Sequence, residues 1–145
     1  MRGHDLATVM TCYNGLWRPG GTARAADVIH PDFVRHGSSG ELRGVDAFVR
    51  YVEHYRAAFP DLAFAVADWL AARDRLTVRY SFTGTHRRPF MGLPASGRPV
   101  TADGVAIYRV AEGRLVEIWD YLDLYGLERR LAAPPHSINP ALAAQ

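Results

Sequence analysis

The stretch Gly113–Asp123, with the sequence GRLVEIWDYLD, sets three carboxylates among apolar and aromatic residues. Its content of Val, Ile, Trp and Tyr is typical of a β-strand, in which successive side chains point to opposite faces of a sheet. Where one face of such a strand turns inward, its polar groups line a pocket instead of contacting water. The faces on which Glu117, Asp120 and Asp123 lie therefore decide what chemistry this sheet can support.

The residues before this stretch set its pairing. Residues 100–110 alternate as a second strand, and the sequence AEGR joins the two strands as a hairpin. If EG forms a two-residue turn, Tyr108 lies opposite Glu117 and on the same face as Asp123. Asp120 then points to the other face. A bulge near the strand end would reverse this assignment.

An apolar period of three and four residues predicts helices elsewhere in the chain. Residues 5–17 and 44–59 follow this period, and the sequence RPGG and Pro60 end the two helices. A short helix over ARAADVI lies between them. The sequence LYGLERRL at 124–131 forms the last helix.

A period of two predicts the remaining strands. The sequence DFVRH at 32–36 is a short strand, followed by a loop at 37–40. Residues 62–66 and 76–82 alternate between faces and are joined as a hairpin by AARD. Residues 85–99 contain three prolines and two glycines, which is typical of a loop over a cavity mouth.

Together these elements predict one α+β domain over residues 1–132. A curved, mostly antiparallel sheet would carry helices on its concave face, so that sheet and helices enclose a cone. Residues 133–145 have no periodicity, and we expect them to form a disordered tail.

Composition and charge exclude several classes of protein. The net charge is only +2 and the basic residues are scattered, which argues against nucleic-acid binding. No apolar run approaches the roughly 18 residues of a membrane helix, and the N-terminus lacks a signal-peptide core. Cys12 is the only cysteine, so no intrachain disulfide can form. We therefore expect a cytoplasmic protein without membrane partners.

Asp123 is the first candidate for a catalytic group. Burial beside indole and phenol rings raises the pKa of a carboxyl group and a nearby arginine lowers it, so such a group can be tuned for proton transfer. The alternative is that this strand-end Asp caps the final helix. Asp120 is a second candidate, with Arg109 on the neighbouring strand as its partner or that of Glu117. His36 is a third, because it ends the short strand beside GSSG and can point into a cavity.

Aromatic residues are more numerous than a small core needs. We predict that six of them line a pocket for a flat aromatic ligand: Tyr13, Trp17, Tyr51, Phe59, Tyr80 and Trp119. The alternative for each one is ordinary core packing. No set of His, Cys and Asp has the spacing of a metal site, and no phosphate loop or nucleophile motif occurs. We therefore expect acid–base chemistry without a metal or cofactor.

Several motifs occur together in a recognisable order: HPDFVRHG, AFPDL, and FTGTH followed by PFMGLPASGRPVTADGVAIYRVAEGRLVEIWDYLDLYGL. In this order they resemble the SnoaL-like branch of the NTF2-like superfamily, which contains polyketide cyclases and their ester cyclase relatives. The resemblance covers residues 5–132 and includes the spacing from Asp123 to Gly126 before the last helix.

The resemblance implies a cone-shaped α+β fold that is often dimeric through the sheet. It also implies ring closure of a small, hydrophobic, polyketide-like substrate by intramolecular aldol condensation, with an Asp as general acid and base. By motif position this Asp is most similar to Asp123, and Asp120 is the neighbouring acid. Tyr13 and Tyr51 fall where cyclases place substrate-contacting residues, and Arg109 stands where some cyclases have a histidine.

Asp123 would then transfer the protons, and His36 or Arg109 would stabilise oxyanions. The same fold also carries other activities, so an isomerase, a hydroxylase or an epoxide hydrolase is the alternative. A non-catalytic dimer that binds a small molecule, or one whose pocket is filled by its own aromatic residues, is a further alternative from another functional class.

Overall fold

The protein is described by a computed structural model over residues 3–38 and 40–132, with side chains from Leu6 onward. The predicted tail at residues 133–145 lies outside the described residues. The helices are α1 Gly3–Leu16, α2 Ala25–Val28, α3 Val45–Ala58 and α4 Leu124–Ala132, and a 3₁₀ turn at Gly21–Arg24 precedes α2. The strands are β1 Ile29–Gly37, β2 Gly40–Arg43, β3 Ala63–Ala72, β4 Arg75–Thr85, β5 Pro99–Ala111 and β6 Arg114–Leu122.

The strands form one curved sheet of six strands in the order β2-β1-β6-β5-β4-β3. Every pair is antiparallel except β1 with β6, which is parallel. The α+β class predicted from the sequence is therefore confirmed. The parallel pair joins the first third of the chain to its last strand.

The helices pack on the concave face of the sheet. Phe48 of α3 lies 5.4 Å from Phe33 of β1, and Tyr13 of α1 lies 5.2 Å from Tyr108 of β5, measured between ring centroids. The inner face of β4 alternates with the period of two that the sequence predicted, because every second residue from Leu76 is buried. The core therefore fills the space between the helices and the sheet.

The predicted register of the β5–β6 hairpin is wrong. The two-residue turn at Glu112 and Gly113 is present, and both residues have positive φ, as a tight hairpin turn requires. The register then shifts, since Val110 pairs with Leu115 but the next pair joins Arg109 to Glu117. This leaves Val116 as the extra residue of a β-bulge.

The bulge exchanges the two faces of β6. Leu115 and Val116 are both buried, so two consecutive apolar residues occupy the interior where strict alternation would expose one of them. Beyond the bulge, Tyr108 pairs with Ile118 and Ala106 pairs with Asp120. Asp120 consequently lies on the inner face of the sheet.

The strand β2 was not predicted from the sequence. Residues 37–40 were expected to form a loop, whereas β2 begins at Gly40 and pairs with β1 from Gly37 back to Val34. Its sequence GELR has no apolar alternation, and it is only four residues long. The long loop was predicted correctly, because residues 86–98 between β4 and β5 contain only an isolated bridge between Phe90 and Leu93.

None of the helices within residues 3–38 and 40–132 has the length and apolar character needed to cross a membrane.

We expect Phe48→Ala to lower the free energy of unfolding by about 3–5 kcal/mol, because it removes a fully buried ring and leaves a cavity. The matched control is Tyr125→Ala on α4, where the side chain is exposed, and it should change stability by less than about 0.5 kcal/mol. Urea unfolding followed by tryptophan fluorescence measures both. Equal effects of the two substitutions would contradict the assignment of Phe48 to the core.

Candidate active site

Asp120 is held on the inner face of the sheet by two charged or polar side chains. The hydroxyl of Tyr80 donates a hydrogen bond to Asp120 Oδ1 at 2.6 Å, and Nη2 of Arg35 donates one to Asp120 Oδ2 at 2.9 Å. Both oxygens of the carboxylate therefore have a donor. Tyr80 comes from β4, Arg35 from β1 and Asp120 from β6, so three strands of the sheet fix one carboxylate.

A cavity lined mostly by aromatic rings lies against this carboxylate. The enclosed space measures about 10 Å³, which is about the room that one water molecule requires. Its lining consists of Trp17, Tyr51, Tyr55, Leu62, Phe64, Tyr80, Phe82, Asp120 and Leu122. Among these described residues Asp120 is the one carboxylate, so it is the candidate base in the lining.

Two glycines make this arrangement sterically possible. Gly104 of β5 pairs with Tyr80, and a Cβ at Gly104 would lie 2.5 Å from the Tyr80 hydroxyl oxygen. Gly37 at the end of β1 leaves room for the guanidinium of Arg35, because a Cβ there would lie 2.5 Å from Nη1. Side chains at these positions would displace the two groups that hold Asp120.

The tyrosine hydroxyls at the cavity are donors. Burial raises the pKa of Tyr80, and the negative charge of Asp120 raises it further. Burial likewise raises the pKa of Tyr51 and of Tyr55. These hydroxyls remain protonated at neutral pH, which lets them donate hydrogen bonds to a carboxylate or to a ligand oxygen.

The structure contradicts the predicted orientation of Asp123. This side chain is exposed, and its Oδ1 accepts a hydrogen bond from the backbone N–H of Gly126 at 2.9 Å. It therefore caps the N-terminus of α4, which was the alternative reading of the sequence. The bulge at Val116 is the physical reason. It places Asp120 on the inner face of the sheet, and it turns the alternate residues, which were predicted to face inward, to the outer side.

His36 and Arg109 lie on the outer face of the sheet, away from Asp120. His36 Nε2 is 2.6 Å from Glu117 Oε2, and Arg109 Nη2 donates to Glu117 Oε1 at 2.9 Å. The imidazole of His36 also stacks on Trp119, with ring centroids 5.5 Å apart. Arg109 was expected to pair with a carboxylate of β6, and this carboxylate is Glu117. Trp119 was expected to line the pocket, but it lies on the outer face.

Of the six aromatic residues predicted for the pocket, Trp17, Tyr51 and Tyr80 line the cavity. Tyr13 packs against Phe48 and Tyr108 in the core. Phe59 contacts Phe82, His86 and Phe90 at the base of the long loop. For Tyr13 and Phe59 the structure therefore supports core packing.

Arg35 is a residue of the candidate site that the sequence did not identify. It is only 5% exposed, and its guanidinium carbon lies 4.2 Å from the centroid of the Tyr51 ring, as in a cation–π contact. The signal was present in β1, because Arg35 is two residues after the apolar Phe33 and so shares its inward face. A charged residue on an inward face is unusual enough to mark a site.

Within residues 3–38 and 40–132, no group of three His, Cys, Asp or Glu side chains is arranged to hold a metal ion. On the outer face, Glu117 is linked by hydrogen bonds to His36 and Arg109.

Comparison with known proteins identifies the family of the chain. The family model of the SnoaL-like polyketide cyclases matches residues 7–131. The chain is 25% identical over 122 residues to the aklanonic acid methyl ester cyclase DnrD of Streptomyces peucetius, and the match covers 81% of this chain and 84% of that protein.

Solved structures agree on the fold. A proposed SnoaL-like polyketide cyclase from Jannaschia sp. CCS1 superimposes with a TM-score of 0.84 at 21% identity, over 91% of this chain and 94% of that one. AclR of Streptomyces galilaeus, a proposed hydroxylase, superimposes with a TM-score of 0.77 at 28% identity, over 89% of this chain and 96% of that one. The cone of helices and curved sheet is therefore shared with these proteins.

We expect stability to depend on pH through Glu117. Partial burial opposes its charge, but the hydrogen bonds from His36 and Arg109 outweigh burial and lower the pKa of the Glu117 carboxyl. A lowered pKa in the folded state stabilises the fold above the ordinary pKa of Glu, and this stabilisation is lost as the pH falls through the lowered value. Glu117→Gln should therefore cost about 1 kcal/mol at pH 7 and nothing once the pH is below that value.

Chemical unfolding from pH 7 down to pH 3, at one protein concentration, measures this difference. Glu128→Gln, which changes an exposed carboxylate on α4, is the control and should follow the wild type throughout. If the difference in free energy of unfolding between wild type and Glu117→Gln grew as the pH fell, the predicted pH dependence would be wrong.

Proposed function

The chain belongs to the SnoaL-like polyketide cyclase family, and on this premise we propose that it closes a ring in a polyketide-like ligand by intramolecular aldol chemistry, with Asp120 moving the protons. The observation that supports this most directly is the Asp120 carboxylate at the wall of a cavity lined by aromatic rings. A carboxylate within hydrogen-bond reach of a ligand can act first as general base and then as general acid.

The proposed reaction balances without any other reactant. One oxygen of Asp120 takes a proton from the carbon next to a ligand carbonyl; the C–H bond breaks, and its electron pair moves to the carbonyl oxygen as an enolate. The enolate carbon then attacks a second carbonyl carbon of the same ligand, which forms the new C–C bond and an alkoxide. The proton on Asp120 passes to the alkoxide, and the carboxylate is restored.

Tyr80 and Arg35 support this role by holding the carboxylate in one orientation, at 2.6 Å and 2.9 Å from its oxygens. The rings of Trp17, Tyr51 and Phe64 offer flat apolar walls on which a folded polyketide can stack. Holding the two reacting carbons of one ligand close together accounts for much of the acceleration expected of such a site.

Ligand entry requires the cavity to enlarge. Its 10 Å³ compares with roughly 300–1,000 Å³ in sites that bind drug-sized molecules. Phe64 and Leu122 are half-buried members of the lining, whereas Trp17 and Phe82 are fully buried. We infer that rotation of the half-buried side chains opens the space for the ligand.

The same small volume favours a second candidate function. A cavity that its own aromatic side chains nearly fill would suit a non-catalytic protein that acts through its surface. Turnover by the wild-type chain distinguishes the two candidates, because only the first requires it.

We expect Asp120→Asn to reduce turnover by about 10²–10⁴-fold, since the amide cannot take up the proton. The matched control is Asp123→Asn, which alters an equally acidic residue of the same segment outside the cavity; because Asn caps helices as well as Asp, it should keep the fold and the turnover. Conversion of aklanonic acid methyl ester, the substrate in the name of the relative DnrD, is followed by chromatography.

Product mass separates the remaining activities. Aldol ring closure leaves the mass of the ligand unchanged, hydroxylation as in the name of AclR adds one oxygen, and epoxide hydrolysis adds one water. Loss of turnover in Asp123→Asn with retention in Asp120→Asn would exchange the roles of the two residues. No product from the folded wild type would remove this ester from the proposed substrates.

We also propose that the chain forms a homodimer through the outer face of its sheet. Three apolar side chains on this face are unusually exposed: Leu70 is 77% exposed, Tyr121 is 66% exposed and Val105 is 41% exposed. Strand register puts them in adjacent rows with Ile107 and Trp119. Polar residues such as Thr77 and Arg79 lie among these side chains, so the surface mixes apolar and polar groups, as protein interfaces commonly do.

We expect Leu70→Asp combined with Tyr121→Asp to halve the mass measured by sedimentation equilibrium, because charges would have to be buried in the interface. Tyr125→Asp on α4 is the control, since this exposed tyrosine lies off the sheet. A wild-type mass equal to one chain at all micromolar concentrations would exclude the dimer.

A further inference from the structure

The guanidinium of Arg35 has donors that no described residue satisfies. Nη2 is bound to Asp120, whereas Nε and Nη1 are buried and have no acceptor among residues 3–38 and 40–132. Burying a charged donor without an acceptor is costly, and such groups are rare in folded proteins. A guanidinium this deeply buried would ordinarily be paired on more than one edge.

The position of these free N–H groups follows from the contacts of Arg35. One edge of its guanidinium meets Asp120, and its plane lies over Tyr51, with the central carbon 4.2 Å from the ring centroid. Asp120 and Tyr51 both line the cavity. Arg35 is not itself in the lining, but its guanidinium contacts two residues that are, one of them the group that we propose as acid and base.

Charge points to the kind of atom these donors would bind. The positive charge of Arg35 is offset by Asp120, while the tyrosines at the cavity are neutral because burial raises their pKa. Arg35 and Asp120 together carry no net charge, so they would not attract a strong anion, but Arg35 still has unpaired N–H donors. A ligand oxygen that begins neutral and gains negative charge during the reaction fits this balance.

We propose that Arg35 is a substrate-binding residue, and that one of its two unused donors, Nε–H or Nη1–H, donates a hydrogen bond to a carbonyl oxygen of a flat, polycyclic ligand. This inference deepens the proposed function and rests on it, since the oxygen concerned is the one that becomes the enolate when Asp120 removes the adjacent proton. In the complex, the carbonyl oxygen would satisfy a buried donor that otherwise has no acceptor among the described residues. Arg35 thereby takes the oxyanion-stabilising role that the sequence suggested for His36 or Arg109.

Two neutral probes test the proposal without turnover. 2-Hydroxymethylanthraquinone and 2-hydroxymethylanthracene have the same three-ring skeleton and differ in the two carbonyl oxygens. The wild type should bind the quinone about 10–100-fold more tightly than the anthracene, because the extra hydrogen bond involves a charged donor. Titration calorimetry gives both dissociation constants, and quenching of tryptophan fluorescence provides a second readout.

Variants then assign the preference to Arg35. Arg35→Met should bind the two probes equally, whereas Arg109→Met, which removes an arginine from the outer face, should keep the wild-type preference. Because Arg35→Met leaves Asp120 buried without its cation and can unfold the chain, the double variant Arg35→Met/Asp120→Asn, which removes both charges, serves as a second test. Circular dichroism and thermal unfolding establish that each variant is folded.

Asp120→Asn separates this inference from the proposed function. It should retain the preference for the quinone, because Arg35 is still present, while turnover of aklanonic acid methyl ester is lost. If Asp120→Asn keeps its turnover but Arg35→Met loses the preference, the catalytic role of Asp120 fails and the binding role of Arg35 stands. Equal binding of the two probes by the wild type, no binding of the quinone, or a preference that persists in the folded double variant would overturn the proposal.

Discussion

One extra residue in β6 sets the orientation of every side chain that follows it in the strand. Val116 has no partner of its own in β5, so Arg109 pairs with Glu117 and Ala106 pairs with Asp120. Without the bulge, alternation would bring Glu117 inside and send Asp120 to solvent. The inner cavity, its carboxylate and the ion pairs on the outer face all depend on this local insertion.

Burying Asp120 opposite Arg35 has an energetic cost that packing alone does not explain. Taking two charges out of water costs several kcal/mol per ion in typical proteins, and apolar residues of similar volume often serve stability as well or better. The chain also has glycine at positions 37 and 104, where a Cβ would collide with Arg35 and Tyr80 respectively. The buried ion pair and the two glycines all serve the placement of one carboxylate, and stability alone does not require them.

The sequence predicted most of the architecture because helices and strands leave regular periods in it. The helix at 44–59, the strand at 76–82 and the final hairpin turn all correspond to elements of the structure. It named Asp120, Trp17, Tyr51 and Tyr80 as candidates, and all four line the cavity. It placed Asp123 on the inner face and Asp120 on the outer one, however, for a reason that can be identified. Alternation has no means of locating a bulge within a run of apolar residues such as Leu115 and Val116.

Long-range pairing hid the other half of the site. Arg35 and Asp120 are 85 residues apart, and their contact exists because β1 and β6 are parallel neighbours. A chain still being synthesised therefore carries an uncompensated cation on β1 until its last strand emerges, and strand pairs this distant in sequence close late and slowly. Loss of β6 would remove Asp120 and leave Arg35 without its carboxylate, so the last strand to be synthesised completes the candidate site.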